Sequence, residues 1–323
     1  MLRLKVGYVR TENSQTIVLL GGAGLVGQNL IIKLLEADLE NILVVDKSES
    51  NLEVLSRLHP EVRTHFADIS ENDLWADSLK QDDIVVMLQA QIGGLHLDEF
   101  EKNNIVSTEH ALSLCKQKGV NRIVHVSSSV VNSVADDWYT QTKETQEKLV
   151  LESHLNTVVL RPTLMFGWFD RKHLGWLSRF MKKVPIFPIP GHGKYMRQPL
   201  YVGDFADVLL RCVQDSSING IYDITGQERI DYIDIIKSIR HETKARTIVL
   251  NIPYQFFRLL LNIWAKFDSN PPFTTQQLEA LVAPDEFDVI DWPTIFNVTP
   301  TPFHEALRET FGHPTYSSVV LEF

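Results

Sequence analysis

The fold of this chain is decided by residues 16–27, which read Thr-Ile-Val-Leu-Leu-Gly-Gly-Ala-Gly-Leu-Val-Gly. The apolar, β-branched run within residues 15–20 is typical of a buried β-strand, and an apolar helical pattern follows the glycines as far as residue 35. A glycine turn between a strand and a helix exposes backbone N–H groups and the positive end of the helix dipole, which together favour a pyrophosphate. The spacing G-x-x-G-x-x-G therefore predicts a dinucleotide-binding turn made by Gly21, Gly24, Leu25, Val26 and Gly27.

Strand-like apolar runs alternate with helical patterns over the first half of the chain. The runs lie at residues 42–45, 62–67, 84–88, 122–126 and 157–160, and helical patterns lie at 51–58, 104–118 and 140–155. Strands that are apolar on both faces and alternate with helices indicate a parallel sheet covered on both sides. We predict an α/β protein with a Rossmann-type doubly wound parallel sheet, which binds ligands at the carboxyl ends of its strands.

The pattern changes after Arg161-Pro162. Residues 163–200 are rich in Pro and Gly and predict ordered loops, residues 204–213 predict a helix, and residues 220–224 predict a strand that returns to the sheet. From Asp231 onward the pattern favours helices with breaks at prolines. We expect a dinucleotide-binding domain at 15–162, to which 200–225 returns, and a smaller, mostly helical substrate-binding part at 163–199 and 226–323. Residues 1–14 carry no assignment.

An acidic residue ends the second predicted strand. Asp46 lies nineteen residues after Gly27, where a carboxylate accepts hydrogen bonds from the adenosine ribose. A carboxylate there repels a 2'-phosphate, so the sequence favours NAD over NADP. The neighbouring Lys47 is the one nearby feature that favours the phosphate, and it belongs to the same binding region.

A hydroxyl cluster and a Tyr-x-x-x-Lys pair indicate hydride chemistry. Ser127-Ser128-Ser129 ends the fifth predicted strand, and Tyr139 and Lys143 follow on one helix face. For Tyr139 to act as a base near neutrality, its pKa must fall by about three units, roughly 4 kcal/mol. One cation about 4 to 5 Å from the phenol oxygen stabilises the phenolate by about 3 to 4 kcal/mol at an effective dielectric constant of about 20. Tyr139 then takes the proton of a substrate hydroxyl, Ser129 orients that oxygen, and the hydride passes to a nicotinamide.

Together these motifs resemble the extended short-chain dehydrogenase/reductase family, and within it the branch of NAD-dependent sugar-nucleotide epimerases and dehydratases. The resemblance covers most of residues 15–225, in the right order. Besides the motifs above it rests on Asp68-Ile69, Leu88-Gln89-Ala90 and Arg161-Pro162-Thr163-Leu164-Met165-Phe166-Gly167.

The resemblance implies roles for further residues. It implies cofactor contacts for Asp68 and Ile69 beside the adenine, for Leu88, Ala90 and Gln91 along the cofactor, for Ser127, Tyr139 and Lys143, and for Pro162 and Thr163 near the nicotinamide. Lys143 would also hold the nicotinamide ribose. Arg197 would bind the substrate diphosphate, and a structural salt bridge to Asp204 is the alternative for this arginine.

The sequence departs from the family pattern between the serines and the tyrosine. Only nine residues separate Ser129 from Tyr139, fewer than in most sugar-nucleotide epimerases, and the Val-Tyr-Gly that commonly follows the serines is replaced by Val131-Asn132-Ser133. The substrate pocket must therefore be built differently. No acidic residue lies beside Ser129, so the sequence favours epimerisation or simple redox over the elimination of water.

Three functions stay open. The first is an NAD-dependent epimerase or oxidoreductase acting on a sugar nucleotide or a related hydroxyl-bearing substrate. The second is a free NAD(P)-dependent alcohol or steroid-type dehydrogenase. The third is a non-catalytic dinucleotide-binding subunit, because residues 271–307 resemble the tail of epimerase-like relatives, including members attached to respiratory complexes. The family resemblance also implies a homodimer that pairs through residues 104–118 and 140–155.

Composition excludes several other classes. The 323 residues carry 31 Lys and Arg against 41 Asp and Glu, a net charge of -10, so a nucleic-acid partner is not expected. Cys115 and Cys212 are too few for a disulfide framework, which favours the cytoplasm. The histidines show no metal-ligand spacing, so no metal is expected.

Residues 1–8 lack the apolar core of an export signal. The apolar residues 252–267 are too short to span a bilayer, and packing on their own domain is favoured over an amphipathic helix on a membrane.

Overall fold

A computed structural model describes residues 15–71, 73–133, 137–267, 275–282 and 287–322. Its strands are β1 (Ile17–Leu20), β2 (Ile42–Asp46), β3 (Arg63–Phe66), β4 (Ile84–Met87), β5 (Arg122–Val126), β6 (Asn156–Pro162), β7 (Met165–Phe166), β8 (Ile186–Pro190), β9 (Met196–Arg197), β10 (Leu200–Tyr201), β11 (Gly220–Ile224), β12 (Ile230–Asp231) and β13 (Ile248–Ile252).

The helices lie mostly between these strands. They are α1 (Leu25–Glu36), α2 (Glu49–Leu58), α3 (Leu97–Phe100), α4 (Ser107–Lys118), α5 (Trp138–Leu151), α6 (Leu174–Lys183), α7 (Val202–Gln214), α8 (Tyr232–Thr243), α9 (Tyr254–Trp264), α10 (Thr275–Val282), α11 (Trp292–Phe296) and α12 (Phe303–Gly312). A π-helix at Glu101–Val106 joins α3 to α4, and short 3-10 helices lie at Leu74–Ser78, Ser129–Asn132 and Tyr316–Ser318.

Seven parallel strands form the central sheet in the order β11-β6-β5-β4-β1-β2-β3. The strand order reverses at β1, whose Leu20 pairs with Val45 of β2 on one side and Met87 of β4 on the other. The connections on the two sides of such a reversal run in opposite directions and leave a crevice between them. In sheets of this kind that crevice is the ligand site. The predicted Rossmann-type doubly wound sheet is confirmed.

Both faces of the sheet are buried under helices. Leu19 of β1 packs in the cluster that includes Leu30 of α1 and Phe205 of α7, whereas Leu20 packs in the cluster that includes Ala111 of α4 and Val150 of α5. Successive side chains of a strand point to opposite faces, which is why a run that is apolar throughout belongs in a sheet covered twice.

The smaller part has more regular structure than its sequence indicates. Residues 163–200 were predicted to be loops, but they contain α6, β7, β8, β9 and the start of β10. In addition, β13 pairs in parallel with β8 where helices alone were predicted. Pro188 and Pro190 suggested loops because proline cannot donate to a ladder, yet a two-stranded sheet has only edge strands, where proline is tolerated. The predicted strand at 220–224 is β11, which pairs with β6 at the edge of the central sheet.

The apolar residues 252–267, for which packing on their own domain was favoured, are only partly buried among the described residues. They end β13 and form α9, in which Phe257 is 9% exposed but Phe256, Leu259 and Trp264 are each 52% exposed. Among the described residues, no helix has the length and apolar character needed to cross a membrane.

Candidate active site

The glycine turn opens α1 at the carboxyl end of β1. Gly21 has a φ of +71°, and a Cβ there would lie 2.7 Å from the backbone of Gln89, so this position requires glycine. A Cβ at Gly27 would lie 2.2 Å from the carbonyl oxygen of Gly22, so α1 can approach the turn only without a side chain. At Gly24, the N-cap of α1, the nearest atom to a Cβ would be 3.7 Å away. This open cradle at a helix N-terminus fits a pyrophosphate.

Asp46 lies directly against this turn. One of its carboxylate oxygens accepts the N–H of Ala23 at 3.0 Å and the other accepts the N–H of Ser48 at 2.9 Å. Burial raises the pKa of Asp46, while these hydrogen bonds and the neighbouring Lys47 oppose the rise. Lys47 itself donates to the Asn103 side chain at 2.6 Å. A carboxylate fixed at the end of β2 next to the glycine turn fits an adenosine ribose.

The residues implied to lie beside the adenine follow β3. Asp68 accepts the N–H of Ser70 at 3.0 Å and pairs with the ammonium of Lys102 at 3.1 Å. Burial acts to raise the pKa of Asp68, but the bonds from Ser70 and Lys102 outweigh it and the pKa is lowered. Ile69 is buried, and its carbonyl lies 2.7 Å from Nδ1 of His110. Both residues are therefore held at the same edge of the sheet as Asp46.

A buried asparagine that the sequence analysis missed fixes the loop after β4. Leu88 donates its N–H to the Leu20 carbonyl, and Gln91 donates its N–H to the Asn104 side chain at 2.6 Å. Asn104 is fully buried and also donates to Thr142, the residue before Lys143, at 2.9 Å. The π-helix positions the Asn104 side chain. From the sequence, Asn104 is a polar residue within a predicted helix and could not be distinguished from a surface residue.

Tyr139 lies in the first turn of α5, with Ser128 beside it. The helix begins there because Asp137 caps it by accepting the N–H of Thr140 at 2.9 Å. Burial raises the pKa of Tyr139, and a side-chain hydrogen bond with Ser128 partly opposes this rise. Ser128 rather than Ser129 lies beside Tyr139, because Ser128 ends the extended segment and Ser129 already starts a 3-10 helix. A role of Ser129 towards substrate stays a prediction.

The ammonium of Lys143 is hydrogen-bonded inside the protein. This lysine is fully buried, and its ammonium donates to the Val126 carbonyl at 3.1 Å and to the side chain of Gln146. Burial lowers the pKa of Lys143 to about 7, against the opposing charge of Glu147. The predicted approach of this ammonium to the phenol oxygen of Tyr139 is not among its contacts here.

Glu147 forms a second network one turn beyond Lys143 on α5. It accepts a hydrogen bond from the Ser127 hydroxyl at 2.6 Å and two from the Arg161 guanidinium, of which the bond from Nε is 3.0 Å. Ser127, implied to contact the cofactor, therefore uses its hydroxyl inside the protein. Glu147 was not predicted from the sequence, although it lies four residues after Lys143 and therefore on the same face of the helix.

The remaining implied residues lie beyond β6. Thr163, after Pro162 at the end of β6, donates its N–H to the Ile224 carbonyl of β11 at 3.0 Å. Arg197 donates to the Leu281 carbonyl of α10 and to its neighbour Met196. The alternative partner, Asp204, accepts its bonds instead from the Thr301 N–H at 2.9 Å and hydroxyl at 2.6 Å.

Tyr139 lines an open cavity of about 520 Å³. The other lining residues come from the loop after β4 and from the start of α5: Ile92, Gly93, Gly94, Phe100, Asp137, Trp138 and Gln141. A Cβ at Gly93 would lie 3.5 Å from the ammonium of Lys172, which places a cation beside this cavity. Burial, and then the charge of Arg171, lowers the pKa of Lys172 to about 8.

A glycine turn at the reversal of a parallel sheet, together with the Ser128–Tyr139 contact at the carboxyl end of β5, defines a Rossmann-fold protein of the short-chain dehydrogenase/reductase class. The profile of the NAD dependent epimerase/dehydratase family matches residues 17–225, and the chain belongs to this family. The cofactor of the family is NAD, as the sequence predicts, and the glycine cradle and Asp46 fit it.

Similar proteins carry different activities. The chain is 24% identical over 308 residues to a mitochondrial NADH dehydrogenase [ubiquinone] 1 alpha subcomplex subunit 9 of Dictyostelium discoideum, covering 92% of this chain and 85% of that protein. It is 26% identical over 246 residues to a decarboxylating sterol-4-alpha-carboxylate 3-dehydrogenase of Candida albicans, covering 67% and 70%. Its fold matches WbmF of Bordetella bronchiseptica in complex with NAD+ and UDP, with a TM-score of 0.69, 21% identity, and coverage of 92% and 91%.

Proposed function

We propose that the protein is an enzyme that uses NAD to epimerise or oxidise a sugar nucleotide at a secondary hydroxyl. The observation that carries the proposal is the Tyr139 side chain, which lines a cavity of about 520 Å³ and lies beside Ser128 at the carboxyl end of β5. This is where a parallel α/β sheet places its reactions. A subunit that only binds a dinucleotide has no use for this contact.

The chain's own residues supply binding and proton transfer. Gly24 and the first turn of α1 would hold the pyrophosphate of NAD, and Asp46 the adenosine ribose. NAD, when bound, supplies the nicotinamide that accepts and returns hydride. Tyr139 accepts the proton of the substrate hydroxyl, and the Ser128 hydroxyl stabilises the phenolate by hydrogen bonding. Lys143 would add electrostatic stabilisation of the phenolate only after its ammonium turned from Val126 and Gln146 towards Tyr139.

The substrate is proposed to be anionic because of the charge around the cavity. The ammonium of Lys172 lies beside Gly93 of the cavity wall, and residues 171–203 contain seven Lys and Arg and no acidic residue. Burial, and after it the charge of Arg171, lowers the pKa of Lys172, and an anionic group bound there would favour the charged form of this lysine. A nucleoside diphosphate supplies such charge, and Arg197 belongs to the same acid-free segment.

A second candidate is an NAD-binding subunit without turnover. The observation that favours it is Lys143, whose ammonium is bonded to Val126 and Gln146 rather than to the tyrosine with which it would work. The likeness to the Dictyostelium respiratory subunit is consistent with this alternative.

The test begins with purification without added cofactor, denaturation, and identification of any released nucleotide by mass spectrometry. Retained NAD, followed by conversion of a member of a UDP-sugar panel, supports the epimerase. Reduction of added NAD by an alcohol or sterol, with no conversion of UDP-sugars, would replace it with a free dehydrogenase. Binding of NAD without turnover of either substrate class would establish the subunit instead.

A further inference from the structure

Two segments of this acidic protein contain no acidic residue at all. Residues 171–203 contain seven Lys and Arg, and residues 243–267 contain four, while the whole chain has a net charge of -10. The parallel pairing of β8 and β13 brings these segments together, because Ile186 at the start of β8 lies beside Ile248 at the start of β13. The exposed cations just before the two strands therefore gather at one end of the pair: Lys182, Lys183, Lys244 and Arg246.

The helix that follows β13 presents apolar side chains to solvent. Phe256, Leu259, Leu260 and Ile263 are spaced three, four and seven residues from the first, which places them on one face of α9. Between 43% and 52% of each side chain is exposed, and the next apolar residue, Trp264, is 52% exposed. A helix packed on its own domain buries such a stripe, whereas this face of α9 stays about half exposed among the residues that the structure describes.

The two-stranded sheet beside these cations is also apolar on its outer face. Phe187 and Ile189 of β8 point into the core of the smaller part, whereas Ile186 of β8 and Ile248 and Leu250 of β13 are 49%, 62% and 49% exposed. Side chains alternate between the two faces of a strand, so these three share the outer face. Exposed apolar groups bordered by cations are characteristic of an interaction surface rather than of scattered surface residues.

We propose that the exposed face of α9 and the outer face of β8 and β13 bind the surface of an anionic lipid bilayer. A second copy of the chain is disfavoured as the occupant, since it would bring two acid-free cationic segments together without counter-charge. An anionic bilayer supplies both an apolar boundary layer for Phe256 and Ile263 and negative headgroups for Lys182, Lys183 and Arg246. Arg258 on the same helix lies 3.9 Å from Glu279. Because its charge is partly balanced by this carboxylate, it contributes less to the attraction to anionic headgroups.

The test is vesicle flotation with the full chain, using vesicles of phosphatidylcholine alone and of phosphatidylcholine mixed with phosphatidylserine. Wild type floats with the anionic vesicles, binds the neutral ones weakly, and is released by salt because surface charge is screened. The double variant Leu260→Glu/Ile263→Glu lowers binding to anionic vesicles at least about tenfold, since a charged side chain must be removed from the boundary layer. Lys182→Gln/Lys183→Gln lowers it about fivefold for each cation removed.

A matched control replaces exposed apolar residues elsewhere. Leu74→Glu/Val320→Glu changes side chains that are 63% and 47% exposed and leaves vesicle binding as in wild type. The tryptophan emission of wild type shifts to the blue on anionic vesicles, and Trp264→Phe removes that shift.

Any of three results overturns the proposal, the first two of them from flotation and the third from light scattering. The first is a wild type that does not float with anionic vesicles, and the second is a protein that floats equally well after Leu260→Glu/Ile263→Glu. The third is a wild-type dimer that the same double variant converts to a monomer in light scattering, since the surface is then covered by a second copy.

Discussion

Residues 15–162 contain 12 Lys and Arg against 22 Asp and Glu, whereas residues 171–203 and 243–267 contain eleven Lys and Arg and no acidic residue. In the first region, charged side chains such as Lys143 and Glu147 lie inside the protein and are hydrogen-bonded there. In the second, charged and apolar side chains face outward. The first region therefore fixes its charged groups in a hydrogen-bonded interior, whereas the second presents charged and apolar groups at the surface for which membrane binding is proposed.

The strongest test of the interior region is Tyr139→Phe. It removes the proton acceptor while leaving the ring, and we expect kcat to fall about 10³-fold, within the usual range for general base catalysis. Turnover of the substrate found by the panel measures this, with NAD binding as the control. A variant that keeps full activity would mean that the reaction centre lies elsewhere in the cavity.

Titration of Lys143 should give the next largest effect, on stability. Its pKa of about 7 lies below that of an unfolded lysine, so between about pH 7 and 10 the unfolded chain holds more protons than the folded protein. The free energy of unfolding therefore rises with pH across this interval, by as much as about 4 kcal/mol from this residue. Denaturant unfolding of wild type and Lys143→Met at several pH values should show a smaller rise in the variant. Equal slopes would contradict the burial of the ammonium.

Glu147→Ala tests the buried network of the same region. The change leaves the guanidinium of Arg161 and the hydroxyl of Ser127 without their acceptor, and removing one partner of a buried pair costs about 3 kcal/mol. Urea unfolding measures the loss. Glu152→Ala, at an exposed position at the end of the same helix, is the matched control and should change stability by no more than about 0.5 kcal/mol.

Asp46→Ala should weaken NAD binding about 10- to 100-fold, as expected when a charge-assisted hydrogen bond is lost. Binding of NADP should change much less, because the carboxylate opposes a 2'-phosphate in the wild type. Calorimetric titration with both dinucleotides measures the ratio. An unchanged preference for NAD would show that Asp46 serves only to accept from Ala23 and Ser48.

The smallest effect on the free energy of unfolding is expected for a substitution on the exposed face of α9, in the second region. Leu259→Gln changes a side chain that is 52% exposed on α9, so the free energy of unfolding should change by no more than about 0.5 kcal/mol. Ile236→Gln in α8, where the side chain is fully buried, is the comparison and should cost several times more. Similar losses for both would mean that α9 is packed after all.

The parts of the site that depend on local sequence were predictable. The glycine turn and Asp46 could be located because a strand, a turn and a helix adjacent in sequence fix them. The contact of Ser128 with Tyr139 could not, because it depends on where the chain after β5 turns into a 3-10 helix. Nor could the direction of Lys143, since its acceptors are the Val126 carbonyl and the Gln146 side chain, which only the packed structure brings together. The exposed face of α9 has the same periodicity as a buried one, so sequence alone could not distinguish them.

The position of β11 has a consequence for how the protein folds. It pairs in parallel with β6, so that Gly220 lies beside Val158, and the intervening chain carries α6 and α7. Pairing of residues so far apart must wait until the intervening chain has been ordered, because loop closure costs entropy before any contact repays it. The outermost strand should therefore join the sheet late, after β1 and its glycine turn have formed. Hydrogen exchange during refolding should protect the amides of β1 before those of β11.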